Sequence, residues 1–286
     1  MKWQGRRGSR NIEDRRGMRA AGGGGKAGIG GIGAIIVLIV GAYFGVDVSG
    51  LLEDPGAGQG SVQSGQPLSA QEQASGEFVA VVLADTEVIW EEIFRSQLNA
   101  EYPAPTLVLF SGTTRSQCGG ASAATGPFYC PADRKAYLDT SFFATLQNRL
   151  GAQGDFAAAY VVAHEIAHHV QNVQGILPQV QAARANATQA QSNALSVRTE
   201  LQADCYSGIW ARYAQERLGT LERGDLQEAV NAARQIGDDT LQRNAGKTPM
   251  PHTFTHGTSE QRAAWFARGY ESAKLSDCDT FSARQL

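Results

Sequence analysis

Two histidines four residues apart, His164 and His168, lie in an apolar run without proline, and Glu165 directly follows the first. Residues four apart share one face of an α-helix, so a helix here directs both imidazoles toward a single ion. A glutamate beside the first histidine is then placed to act as a general base. The alternative, a surface helix with two solvated histidines, is disfavoured because the flanking residues are mainly valine and alanine.

A metal ion held by two histidines needs a third protein ligand. Downstream, two carboxylates, Glu200 and Asp204, are four residues apart in a second run with helical character. One of them can coordinate the metal while the other accepts a hydrogen bond from a ligand imidazole. Alone this pair indicates only an acidic helix face, so its weight comes from the two upstream histidines.

The order of predicted elements favours an α+β fold. Apolar residues recur at helical spacing from Phe78 to Leu98, and two short β-like runs follow at 106–110 and 135–139. Helical patterns dominate from Ser141 onward, which predicts a mostly helical domain with a small sheet. The sequence has no Gly-rich phosphate loop and no G-x-S-x-G turn, so no nucleotide-type cofactor site and no serine nucleophile are predicted.

Residues 27–46 contain no charged side chain. A helix of this length spans the roughly 30 Å hydrocarbon core of a bilayer, so the segment predicts one transmembrane helix. Eight of the 25 Lys and Arg residues precede it, and the positive-inside rule then predicts a cytoplasmic N-terminus and an exported main domain. A cleaved signal peptide is the alternative, disfavoured because no small-x-small cleavage site follows the apolar block.

These features predict a basic cytoplasmic leader at 1–26, a membrane anchor at 27–46, a flexible linker at 47–75 and one domain at 76–286. The expected location is the inner membrane, as a single-pass protein whose main domain is periplasmic or extracellular. Beyond the leader the chain holds 17 basic and 26 acidic residues, a net charge of −9, which argues against nucleic acid as a partner. The oligomeric state stays open.

The four cysteines match an exported domain with two disulfides, and none lies in a C-x-x-C metal-binding pair. Three connectivities are possible. We favour Cys118 with Cys130, across a Gly-rich loop, and Cys205 with Cys278, which would brace the helix of Glu200 against the C-terminal tail. Four buried free thiols are the alternative, which the predicted export disfavours.

The segments HEIAHH at 164–169 and ELQADCYSG at 200–208 resemble the putative neutral zinc metallopeptidase family and, more distantly, the gluzincins. Segments at 236–239 and 254–262 extend the resemblance, which covers nearly the whole chain. It implies a zincin-like metallopeptidase domain. The metzincin pattern is disfavoured because no x-x-G-x-x-H sequence follows the second histidine.

The resemblance also implies one catalytic zinc ion. Its ligands would be His164, His168 and Glu200, its general base would be Glu165, and Asp204 would orient a ligand histidine. The implied activity is the hydrolysis of peptide bonds with a zinc-activated water, and the implied partner is a peptide or protein substrate.

His256 precedes a predicted helix start, because Thr258 and Gln261 fit a capping box. By resemblance to gluzincin-like sites, His256 is a candidate hydrogen-bond donor to the substrate oxyanion, and a loop histidine bonded to the backbone is an equally weighted alternative. Arg262 could orient Glu200, Asp204 or a substrate carbonyl, or be a surface charge. We favour the ion pair.

Two other functions remain open: a catalytically silent zinc-binding scaffold at the membrane, and a zinc amidohydrolase that acts on a cell-wall amide. Glu165 favours an enzyme, because a scaffold needs no general base. An extended peptide could add to the strand at 135–139 if that strand lies at a sheet edge. His169 and His252 are predicted not to be ligands.

Overall fold

The computed structural model describes residues 1–17, 67–122 and 125–286. The strands are β1 (Ile12–Asp14), β2 (Thr106–Phe110), β3 (Thr113–Ser116), β4 (Gly119–Ser122), β5 (Phe128–Cys130) and β6 (Lys135–Asp139). The α-helices are α1 (Ala70–Ile93), α2 (Phe142–Asn148), α3 (Asp155–Val173), α4 (Ile176–Arg184), α5 (Gln189–Tyr213), α6 (Asp225–Gln235), α7 (Asp238–Asn244) and α8 (Ser259–Ser272). The prediction of a mostly helical α+β fold with a small sheet is confirmed.

The main sheet has four strands in the order β1-β2-β6-β5. Strands β1, β2 and β6 are parallel, and β5 is antiparallel to β6. Both runs predicted as strands therefore form the centre of this sheet, as β2 and β6. The predicted addition of a peptide to the strand at 135–139 is wrong, because neighbouring strands occupy both edges of β6.

The two faces of the main sheet pack against different parts of the structure. Side chains alternate along each strand, so residues two apart share a face. One face packs against the helices through Leu107, Leu109, Ala136 and Leu138. The other face packs under the two-stranded β3–β4 hairpin through Val108, Phe110, Phe128, Cys130 and Tyr137. The sheet therefore lies between a helical layer and a hairpin.

Helix α3 is the central helix of the molecule. Apolar residues surround most of its circumference, which is typical of a helix buried on all sides. Near its start, Phe156 stacks on Trp210 of α5 with ring centroids 5.6 Å apart. Side chains of this helix are therefore held in fixed positions by their neighbours.

Helices α5 and α8 cross at backbone contact. A Cβ atom added at Gly269 would lie 1.8 Å from the carbonyl oxygen of Cys205, and one added at Gly208 would lie 2.0 Å from that of Phe266. Only glycine fits at either position. This close approach brings Arg262, on the first turns of α8, against α5.

The first 17 residues pack onto the same body as the helices. The α-ammonium group of Met1 lies 2.5 Å from Asp155 Oδ1, and strand β1 pairs with β2. Lys135 Nζ lies 2.6 Å from Glu13 Oε2 and adds an ion pair between β1 and β6. Helix α1 begins at Ala70 behind a capping box, before the predicted linker boundary at 75.

This packing overturns the predicted localisation. A single membrane span at 27–46 would put residues 1–17 and the main domain on opposite sides of a bilayer, whereas β1 and β2 share one sheet. Residues 18–66, which include the predicted anchor and most of the predicted linker, lie outside the described ranges. Within those ranges, no helix combines the length and the apolar character needed to cross a membrane. The predicted single-pass location in the inner membrane is wrong.

The structure contains the two disulfides that the sequence analysis favours. Cys118–Cys130 joins the β3–β4 hairpin region to β5. Cys205–Cys278 joins the middle of α5 to the C-terminal segment, 73 residues further along the chain. The second disulfide therefore ties the helix that carries Glu200 to the end of the chain.

Removing the two disulfides should destabilise the fold unequally. On loop-closure entropy alone, a double Cys→Ser replacement at 118 and 130 should lower the free energy of unfolding by about 3 kcal/mol, and one at 205 and 278 by about 4 kcal/mol. Urea unfolding of both variants beside the parent measures the difference. A larger loss of unfolding free energy in the 118/130 variant, whose disulfide closes the shorter loop, would contradict this account.

Candidate metal centre

Helix α3 places His164 and His168 one turn apart on one face, with ring centroids 4.8 Å apart. Glu200, on α5, completes the group. Its Oε2 lies 3.1 Å from His164 Nε2, and its Oε1 lies 3.6 Å from His168 Nε2. One ligand atom from each side chain falls within 4.8 Å of the others. Two imidazoles and a carboxylate form a donor set that fits zinc.

Behind His164 lies a buried group of hydrogen-bonded side chains. Asp204 Oδ1 is 3.0 Å from His164 Nδ1, off the N–H direction. Arg262 donates to both oxygens of Asp204, from Nε at 2.8 Å and from Nη2 at 3.0 Å. The Tyr160 hydroxyl donates to Asp204 Oδ1 at 2.5 Å. Arg262 thus forms a bidentate ion pair in the interior, with 2% of the residue exposed.

Burial and the neighbouring charges oppose each other in the pKa values of this site. Burial alone would lower the pKa of His164, but Asp204 and Glu200 outweigh it and raise that pKa to about 9. Burial would raise the pKa of Glu200, yet the two imidazoles hold it well below its usual range. Asp204 also has a lowered pKa, because Arg262 and His164 outweigh its burial. Both acids are therefore carboxylates at neutral pH.

Glu165 differs from the other acids of the site. Burial raises its pKa, and the nearby imidazoles of His164 and His168 only partly oppose that effect. A carboxylate with a raised pKa accepts a proton more readily than an exposed one. Glu165 is thus the side chain of the group best suited to take up a proton.

His256 lies beside this group and is held by Asp238, the first residue of α7. Asp238 Oδ2 accepts backbone N–H groups of Thr255, His256 and Gly257 at 2.7, 2.6 and 3.0 Å, and its Oδ1 lies 3.1 Å from His256 Nδ1. Burial would lower the pKa of His256, but Asp238 raises it overall. Thr258 and Gln261 form the predicted capping box at the start of α8.

The remaining histidines have other surroundings. His169 is buried, with Nδ1 3.0 Å from the Tyr129 hydroxyl and Nε2 2.6 Å from the carbonyl oxygen of Pro103. Burial lowers the pKa of His169 to about 4, so it is neutral at pH 7. His252 is exposed, and its carbonyl oxygen accepts from Asn193.

A second acidic group, Asp155, Asp225 and Glu228, also has oxygen atoms within reach of one ion. The Met1 ammonium lies among these residues, and it already supplies the positive charge there. Glu228 also accepts the backbone N–H of Phe156 at the start of α3. This group therefore has a structural role at the helix start.

Sequence reasoning missed three side chains that hold the predicted ones. Tyr160, one turn before His164, and Gln171, three residues after His168, share the apolar run of α3 and give no separate signal. The available signal was helical spacing: Tyr160 is four residues before His164 and Gln171 is three residues after His168, so each lies on the same helix face as its histidine. Asp238 was noted only as part of a matching segment, and its contact with His256 depends on the packing of α7 against α8.

The chain is similar to several known proteins. The sequence profile of the family described as "Putative neutral zinc metallopeptidase" matches residues 1–281. The chain belongs to this family. The uncharacterized protein YpfJ of Escherichia coli strain K12 is 47% identical over 287 residues, covering 98% of this chain and 99% of its own. The uncharacterized protein Rv2575 of Mycobacterium tuberculosis strain H37Rv is 46% identical, covering 65% of each chain. No solved structure matches the chain.

The ion pair between Asp204 and Arg262 should dominate the stability of the site. Either single replacement, Asp204→Asn or Arg262→Met, should lower the free energy of unfolding by about 3–5 kcal/mol, because it leaves a buried charge without its partner. The double variant should lose clearly less than the sum of the single effects.

Urea unfolding of the metal-free proteins measures this double-mutant cycle. The exposed ion pair between Glu91 of α1 and Arg95, two residues beyond the end of α1, is the matched control. Its replacement should cost no more than about 0.5 kcal/mol. Additive losses at Asp204 and Arg262, or losses as small as those of the exposed pair, would show that the buried pair is not coupled.

Proposed function

We propose that this chain is a zinc-dependent peptidase that hydrolyses peptide bonds. The observation that carries the proposal is the convergence of His164, His168 and Glu200 on one point, with Glu165 adjacent. We assign these three side chains as the zinc ligands. A zincin-like fold is part of the proposal, supported by the position of the HExxH helix against a small mixed sheet.

When bound, zinc supplies a Lewis acid for the scissile carbonyl and activates a water molecule for attack. Glu165 accepts the proton of the attacking water, and its raised pKa suits it to that role. Glu165 then delivers the same proton to the nitrogen of the leaving amine. The carboxylate therefore ends the cycle in the form in which it began.

Two further groups support this chemistry in the proposal. Asp238 holds His256 by its Nδ1 atom and favours the protonated ring, which leaves an Nε2–H to donate to the oxygen of the substrate carbonyl as negative charge develops. Asp204, held by Arg262, lies against His164 Nδ1 and raises the basicity of this ligand through its negative charge. Each supporting carboxylate thus acts through a histidine.

The replacement Glu165→Gln tests this proposal. It removes the general base and keeps the shape of the side chain and all three ligands. The full-length variant should bind about one zinc ion per chain, like the parent, while its turnover of casein or of a peptide library falls about 10²- to 10⁴-fold. Metal content by mass spectrometry and the rate of peptide release are measured on the same samples.

Glu271→Gln, an exposed carboxylate on α8, is the matched control and should retain parental activity. A parent that binds zinc but cleaves no peptide would contradict peptidase activity and favour a silent scaffold or an amidohydrolase with another substrate. A parent that binds no zinc would overturn the assignment of the ligands.

A further inference from the structure

We infer that Gln171 is the positioning residue of His168: its buried side-chain amide fixes the imidazole tautomer that carries hydrogen on Nδ1. The inference rests on the proposed role of His168 as a metal ligand. It concerns a residue outside the HExxH motif and outside the Glu200–Asp204 pair.

Gln171 is fully buried on α3, three residues beyond His168. Its Oε1 lies 2.8 Å from His168 Nδ1. Its Nε2 donates to the carbonyl oxygen of Thr199 at 2.8 Å and to Gln202 Oε1 at 3.0 Å. Every polar atom of this side chain therefore has a partner, and two of the partners are on α5, next to Glu200.

The orientation of the Gln171 amide follows from its partners. A backbone carbonyl can only accept a hydrogen bond, so the oxygen of Thr199 requires the NH₂ group of Gln171 on its side. The Oε1 atom must then face His168. Because that oxygen only accepts, His168 Nδ1 must carry a hydrogen. In the neutral ring the lone pair then lies on Nε2, the atom toward Glu200.

The main-chain carbonyl of Cys278 fixes the orientation of a second amide, that of Gln202. Gln202, also buried, donates from Nε2 to the carbonyl oxygen of Cys278 at 3.1 Å. Its Oε1 must therefore face Gln171. We call the chain from the Cys278 carbonyl through Gln202 and Gln171 to His168 the amide relay. Since Cys278 is bonded to Cys205, the C-terminal segment that ends the amide relay is held to α5.

The alternative orientation shows what the amide relay prevents. A flipped Gln171 would present its NH₂ group to His168 Nδ1, which would move the ring hydrogen to Nε2 and remove the lone pair that faces Glu200. It would also place Oε1 against the oxygens of Thr199 and Gln202. A charged pair thus lies behind His164, whereas neutral amides hold His168.

The test uses Gln171→Leu in the full-length protein, with Gln174→Leu as the matched control. Gln174 also lies at the end of α3 and bonds a side chain of α5, the Tyr206 hydroxyl at 3.1 Å, but it is not part of the amide relay. Gln202→Leu is the second variant. This replacement removes the hydrogen bond between Gln171 and Gln202. The carbonyl oxygen of Thr199 still orients the Gln171 amide.

Two quantities are measured. The ring ¹⁵N shifts of His168 in the metal-free protein, recorded at an alkaline pH where the ring is neutral, report which nitrogen is protonated. Competition with a chelator gives the zinc affinity. The parent and Gln174→Leu should show the Nδ1–H tautomer. Gln171→Leu should show mixed tautomers and an affinity about 10- to 100-fold lower, and Gln202→Leu a smaller loss in the same direction.

A parent with hydrogen on Nε2 would overturn the inference. So would a Gln171→Leu variant with parental ring shifts and affinity, or an equal loss in Gln174→Leu. The tautomer is read without metal or substrate, so a parent that shows the Nδ1–H form but binds no zinc contradicts the proposed function and upholds the tautomer.

Discussion

The buried ion pair between Asp204 and Arg262 joins the three helices on which the site depends. Arg262 comes from α8, Asp204 from α5, and Tyr160, which bonds to Asp204, from α3. Burying two charges is costly unless the geometry satisfies both, and here the arginine contacts both carboxylate oxygens. The pair thus fixes α3 against α5, and with them the histidines against Glu200. The glycines at 208 and 269 permit this arrangement because they let α5 and α8 meet at backbone distance.

Two different supports hold the two histidines. A carboxylate, kept ionised by Arg262, lies behind His164 and makes its ring more basic. An amide, oriented by backbone carbonyls, lies behind His168. In both cases the partner is fixed by a group that cannot change its hydrogen-bonding role, a guanidinium in one and a main-chain carbonyl in the other. The surroundings of each ring are therefore set by groups of the fold itself.

Much of this architecture follows from local patterns in the sequence. The strands at 106–110 and 135–139, the helix around the HExxH motif and the capping box at Thr258 follow from periodicity and spacing, and the structure contains all of them. The family assignment is confirmed. The roles of the ligands and of Glu165 stay predictions.

The rest depends on tertiary contacts that local patterns do not encode. The basic leader was predicted from charge to lie apart from the main domain, but strand β1 joins the sheet and its Glu13 pairs with Lys135. A charge pattern cannot reveal that a partner strand lies far along the chain. Tyr160 and Gln171 were missed for the reason that polar residues on a buried helix stand out only when their partners are known.

The central claim, that His164, His168 and Glu200 hold one zinc ion, is tested most directly by anomalous diffraction. Crystals of the zinc-loaded full-length protein would be measured above and below the zinc absorption edge. We predict one strong anomalous peak per chain, between the Nε2 atoms of the two histidines and the Glu200 carboxylate. No peak at that position, or a single peak at the acidic group of Asp155, Asp225 and Glu228, would contradict the account.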